Sequence, residues 1–157
     1  MTRYWTIWPY HPDDPETLDR AWKYDIENGV IAIGWNLGGD TPQLTYATLS
    51  EHLRQNWPDE PIDAAASMLW TFYHEIDLGD MIVAIRKRKE FVGVGTVAGG
   101  PFYDEQRGKQ RVGGMRDFKA NFIRVTWHKR GSWVAKALFP RRTLSEISEE
   151  KYLRLVK

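Results

Sequence analysis

Trp35 closes the apolar run GVIAIGW, and Asn36 and Asp40 follow it in the glycine-containing stretch NLGGD. A flat indole at a strand end can stack on a planar heterocycle, which is worth about 1–3 kcal/mol per base. An amide and a carboxylate beside it can satisfy the heterocycle's polar edge, since together they offer donors and acceptors. The plainer alternative is a core ring, because tryptophan is highly buried on average. Eight tryptophans and an aromatic content of 13% supply further rings for either role.

The second set of candidates is cationic. A formal net charge of +1 conceals a segregation: residues 1–85 hold 4 Lys and Arg against 14 Asp and Glu, whereas residues 86–142 hold 15 against 4. Such asymmetry points to a polyanionic partner for the basic part. The turn Arg86, Lys87, Arg88, Lys89 and the stretch carrying Arg107, Lys109, Arg111, Arg116 and Lys119 are the candidate phosphate contacts. The alternatives are solvated turns, or two oppositely charged halves that pair within one fold.

Other chemistries find no residues. There is no cysteine, and the four histidines (His11, His52, His74 and His128) lack the close spacing of a metal site, so no metal and no cofactor are expected. GVGTVAGG has Ala98 where a dinucleotide fingerprint needs its third glycine, and no helix pattern follows. No Gly-x-Ser-x-Gly elbow occurs, and the acid-x-Lys at Glu149–Lys151 is far from Pro58-Asp59, so nuclease chemistry is not assembled. Binding without catalysis is therefore expected. No apolar stretch approaches a membrane span and the N-terminus lacks a leader pattern, so a cytoplasmic location away from membranes is expected.

The elements that must position these groups follow from periodicity and punctuation. RYWTIW and VIAIGW read as strands. Asp14-Pro15 opens a helix with Leu18, Ala21, Trp22 and Ile26 on one face, and Gly29 stops it. Thr45 caps a second helix that Pro58 ends, and Asp63 caps a third through AAASMLWTFYHEI. MIVAIR and EFVGVGTVAGGPFY are β runs joined by the basic turn; Gly93 and Gly95 alternate, which admits the close approach of a ring or backbone. NFIRVTW is a strand, SWVAKALF a further one, and the polar segment 104–120, between PFY and NFIRVTW, a mobile loop. Thr143 and Glu146 fit a capping box for a final helix. At 157 residues this is one domain spanning 1–157, α+β in class, with helices flanking a curved mixed sheet. Trp5, Trp70 and Trp127 belong to its core.

The order RYWTIW, GVIAIGW, helical insertion, LGDMIVAIRKRKEFVGVGTVAGGPFYD, RVTW resembles the PUA-like superfamily and, within it, EVE and YTH-type domains. The resemblance implies a β pseudobarrel and a reader that holds a flipped, modified base in an aromatic cage. GVIAIGW is similar to the YTH strand that carries the first cage tryptophan, which makes Trp35 a cage ring. Trp8 and Tyr10 join it if the first two strands pair, and Phe102 and Tyr103 form the far wall. Asn36 and Asp40 are the base-edge contacts. YTH domains continue with small hydroxyl residues where this chain has Asn36, Leu37 and Gly38, so the base need not be the same. The expected ligand is a methylated base in DNA, favoured over RNA, with an effector nuclease or NTPase as partner, as in modification-dependent restriction systems. The alternatives are an RNA-binding module of RNA modification or translation, and a protein that binds a nucleotide or small molecule.

Overall fold

The computed structural model describes residues 1–114 and 117–156. Among them lie seven strands: β1 (Tyr4–Ile7), β2 (Val30–Ile33), β3 (Met81–Lys87), β4 (Glu90–Val97), β5 (Phe102–Tyr103), β6 (Asn121–Val134) and β7 (Leu144–Ile147). The helices are α1 (Pro15–Asn28), α2 (Tyr46–Asn56), α3 (Ile62–His74), α4 (Glu105–Val112) and α5 (Glu149–Val156). The strands join in the order β2-β6-β4-β3-β1-β7, with β5 also on β6. Every pairing is antiparallel except β1 with β3, whose parallel register requires the long crossover that carries α1, β2, α2 and α3. Register shifts in β3/β4 and β4/β6 bend the sheet into a curled half-barrel. This is the α+β class the sequence predicts.

The central strands are buried on both faces, which explains their uninterrupted apolar runs. In β3, Ile82 and Ala84 face the main core under α2 and α3, while Val83 and Ile85 face a second core closed by Phe139 and Leu155. In β2, Ile31 and Ile33 join the main core, and Val30 and Ala32 pack with Phe122. Gly93 is required by Trp22: a β-carbon there would lie 2.5 Å from the indole. At Gly95 it would lie 2.8 Å from the Trp127 ring, so the alternating glycines do seat rings.

Local punctuation acts as read for α1 and α2. The Asp14 carboxylate accepts from the Thr17 N–H, Gly29 ends α1 at φ 62°, and the Thr45 hydroxyl accepts from the Thr48 N–H. Several expectations are corrected. Segment 104–120 is not a loop throughout, because Asp104 caps α4, Gly113 ends it in the left-handed region, and Arg111 and Val112 bury against neighbouring elements. SWVAKALF forms no separate strand: β6 runs on through Gly131 to Val134. Thr143 caps no helix, since Leu144–Ile147 pairs with β1, and Ser148 instead accepts from Lys151 at the start of α5. Asp63 lies inside the first turn of α3, after Pro61. Trp5 is buried in the main core as expected, whereas Trp70 is half-buried among Tyr46 and His74.

Candidate functional site

Trp35 lies two residues past the last β2–β6 pair, Ile33 with Asn121. Its φ is 61°, and among the described residues it is the only non-glycine in the left-handed region. For a bulky side chain that conformation costs about 1–2 kcal/mol and persists only where the surroundings enforce it. Two asparagines do so. The Asn121 amide donates to the Gly34 carbonyl at 2.8 Å, and its oxygen accepts from the buried Tyr73 hydroxyl. The Asn36 amide donates to the Phe118 carbonyl at 2.8 Å, and its oxygen accepts from the Ala120 N–H at 2.8 Å. The half-buried Trp35 ring rests on the edge of the main core.

Between the two residues that Asn36 clamps sits Lys119, only 6% exposed. Its ammonium lies 5.5 Å from the centre of the Tyr10 ring. A β-carbon at Gly34 would come within 3.1 Å of the same nitrogen. Tyr10 is itself buried, and its hydroxyl donates to the Asp117 carbonyl. At the rim, His11 Nε2 meets the Asp117 carboxylate at 2.6 Å, which holds that carboxyl below its usual range. Burial lowers the Lys119 ammonium to about 8, against the attraction of Asp117 and Glu60 and with added repulsion from Arg111.

That depression fixes a sign. The unfolded lysine, at 10.5, holds its proton to higher pH than the folded one, at about 8. Between those values the unfolded state binds more protons, so stability rises with pH. The denaturant midpoint should therefore increase from about pH 8 to pH 10, before the tyrosines titrate, and Lys119→Met should abolish the increase. A flat profile in the wild type would show that the ammonium is solvated.

The expected cage rings are divided by the fold. β1 pairs with β3 and β7, not with β2, so Trp8 is carried away from Trp35. It is buried in the second core and donates to the Pro140 carbonyl. Phe102 stacks on Phe122 with their centres 5.5 Å apart, on the face of β2 opposite Ile31 and Ile33. Tyr103 alternates to the other face, opposite Asn121, where it lies near enough to Tyr73 to raise that hydroxyl's pKa, although burial is the larger cause. Asp40 is exposed at the start of a 3-10 turn, Thr41–Gln43, with no capping bond. Asn36 reaches the site, but its amide is engaged on both sides by backbone.

The basic residues separate as well. Arg86, Lys87 and Arg88 line a cavity of about 340 Å³ with Trp8, Pro12 and Arg141. Arg86 also forks onto Asp19 at 2.8 and 3.0 Å, and Arg88 donates to the Phe139 carbonyl. Lys89 is exposed beside this group. Arg107 and Lys109 pair along α4 with Asp104 and Glu105. Arg111 is no surface contact: it is fully buried and forks onto Asp25 at 2.7 Å, because α4 packs on α1. Lys119 is likewise buried, not a surface grip. Arg116 lies outside the described residues. Sequence reading missed Tyr73, Asn121 and Arg141; only Asn121, a polar residue between Ala120 and Phe122 in an apolar strand, carried a signal.

A curled α+β sheet with a strained tryptophan and a buried lysine at one strand end defines the molecule. The chain belongs to a family described as a domain of unknown function, DUF8426, whose model matches residues 8–146. No curated protein matches the sequence. Among solved structures it is similar to the YTH domain of the Zygosaccharomyces rouxii MRB1 protein in complex with N6-methyladenosine RNA. That match has 14% identity, a TM-score of 0.49, and covers 97% of this chain and 82% of the other. Two structures of the Mmi1 YTH domain match at 10% identity, with TM-scores of 0.46 and 0.47. They cover 98% of this chain and 92% and 72% of theirs. No helix among the described residues is long and apolar enough to cross a membrane.

Proposed function

We propose that this protein binds nucleic acid and reads a modified base, without catalysis, by stacking the extruded base on Trp35. The observation that carries this proposal is the left-handed Trp35 backbone, held by Asn36 and Asn121 at a strand end. Backbone strain of this kind clusters at ligand-binding sites, and here it carries a ring that is half out of the core. Tyr103, half-buried and opposite Asn121, is the ring proposed to complete the enclosure, whereas Tyr10 is packed in a core beneath Lys119. Extrusion costs a few kcal/mol and stacking returns about 1–3 kcal/mol per ring, so affinity must come from phosphates as well. The groove of Trp8, Arg86, Lys87, Arg88 and Arg141 fits that need, because Lys87 and Arg141 are exposed and their side chains make no hydrogen bond or ion pair with any described residue. The finer proposal is a methylated base in DNA rather than RNA, with an effector nuclease or NTPase acting on the bound complex.

Binding to DNA and RNA oligonucleotides that differ only in one modified base tests the function. A ratio of dissociation constants near one for every modification would refute it, and a preference confined to RNA would overturn the choice of DNA. The groove is tested by salt. Each duplex phosphate neutralised contributes about −0.9 to the slope of log K against log salt. Lys87→Gln with Arg141→Gln should flatten the slope by about two such contributions and weaken modified and unmodified duplexes equally. An unchanged slope would place the phosphates elsewhere.

A further inference from the structure

Lys119 is 94% shielded from solvent as a residue, and its ammonium makes no hydrogen bond or ion pair with any described residue. The nitrogen itself is not among the fully shielded atoms left without a partner, so its tip is the part of the side chain that a ligand can reach. Lysine is almost never buried without a partner, because an unsatisfied ammonium in a low-dielectric surrounding is costly. Asp117 and Glu60 attract it from beyond ion-pair distance, while Arg111 repels it. The surroundings nevertheless hold the cation in place. Asn36 bonds the residues on either side of it, the Tyr10 ring lies beneath the ammonium, and Gly34 leaves the space that any side chain would fill. Gly34 is also the neighbour of Trp35, so the unmatched donor and the strained ring share one end of β2.

We infer that Lys119 is the base-reading residue: its ammonium donates to a ring carbonyl of the base stacked on Trp35, so the site selects a modified oxo base over a modified adenine. This inference rests on the reader function proposed above. The chemistry discriminates because cytosine, thymine and guanine each carry a carbonyl oxygen. Adenine offers only ring nitrogens, beside an amino group that is itself a donor. Rejection is strong where a buried polar group is left unpaired by the wrong ligand. Such a lysine is kept at the expense of the empty protein's stability, and that gives the test a second readout.

The experiment compares wild type, Lys119→Met and Lys119→Gln on otherwise identical oligonucleotides bearing 5-methylcytosine or N6-methyladenine, at fixed salt. Thermal midpoints of the unliganded proteins are measured in parallel. Wild type should prefer the 5-methylcytosine strand at least tenfold. Lys119→Met should bring the ratio near one, and Lys119→Gln, which retains a donor, should fall between. The Lys119→Met midpoint should exceed that of the wild type. The inference is overturned if wild type prefers N6-methyladenine, or if the ratio survives Lys119→Met. It is also overturned if Lys119→Met weakens both strands equally, which would mark a phosphate contact. Should wild type distinguish no modified base from its unmodified form, the reader function itself falls, and the inference with it.

Discussion

An Asp25→Ala variant is expected to lose about 3–5 kcal/mol of folding stability, a large share of the 5–15 kcal/mol typical of a domain. Asp25 and Arg111 are both fully buried, joined by two bonds of 2.7 Å. Burial pushes the Asp25 carboxyl up, and the fork of the guanidinium onto both carboxylate oxygens opposes that push. Removing the carboxylate strands the Arg111 cation, which already has one nitrogen, Nη1, without a partner. The damage should reach the site, because Arg111 also donates to the Pro9 carbonyl at 2.7 Å, one residue before Tyr10. The pair thus ties α1, α4 and the turn after β1 together. Replacing both members, Asp25→Leu with Arg111→Met, should recover most of the loss, since a buried pair contributes little beyond apolar groups of similar size. Denaturant midpoints measure all three variants. An Asp25→Ala midpoint equal to that of the wild type would show that water enters and solvates Arg111.

Trp35→Gly should weaken binding of the modified oligonucleotide by about 1–3 kcal/mol, roughly fivefold to 150-fold. Its folding stability should change far less than that of a buried tryptophan. Glycine adopts φ near 61° without the steric cost borne by Trp35, which offsets part of the half-buried ring's lost packing. Trp5 provides the contrast, being 1% exposed with its indole N–H donating to Asp80 at 2.9 Å. Truncating that ring should cost about 3–5 kcal/mol in stability. Calorimetry of folding and binding on both variants separates the two roles. If Trp35→Gly unfolds the protein as readily as Trp5→Ala, Trp35 is a core ring and its backbone strain serves packing alone.

Much of the framework was legible because it is set locally. A capping carboxylate at Asp14 and a left-handed stop at Gly29 act within one helical turn, and the apolar runs of β2 and β3 follow from burial on both faces. The α4 helix escaped because its stability is not local: its mean composition is polar, and what holds it is the burial of Arg111 and Val112 on distant elements. The final strand escaped for a related reason, since LSEI becomes β7 only through pairing with β1.

The site divides along the same line. Residue type and the end of an apolar run singled out Trp35, but its left-handed backbone and the asparagines that hold it exist only once β2 and β6 are side by side. Charge type marked Arg86, Lys87, Arg111 and Lys119 alike as phosphate contacts. Tertiary packing sorted them into an exposed groove, a buried ion pair and a buried lone cation, because accessibility depends on neighbours far along the chain. Sequence by itself determined which residues were able to stack, donate or carry charge. Only the folded chain decided which of them lie at the surface and which lie together, because the pairing of β1 with β3 rather than β2 took Trp8 away from Trp35 and into the second core.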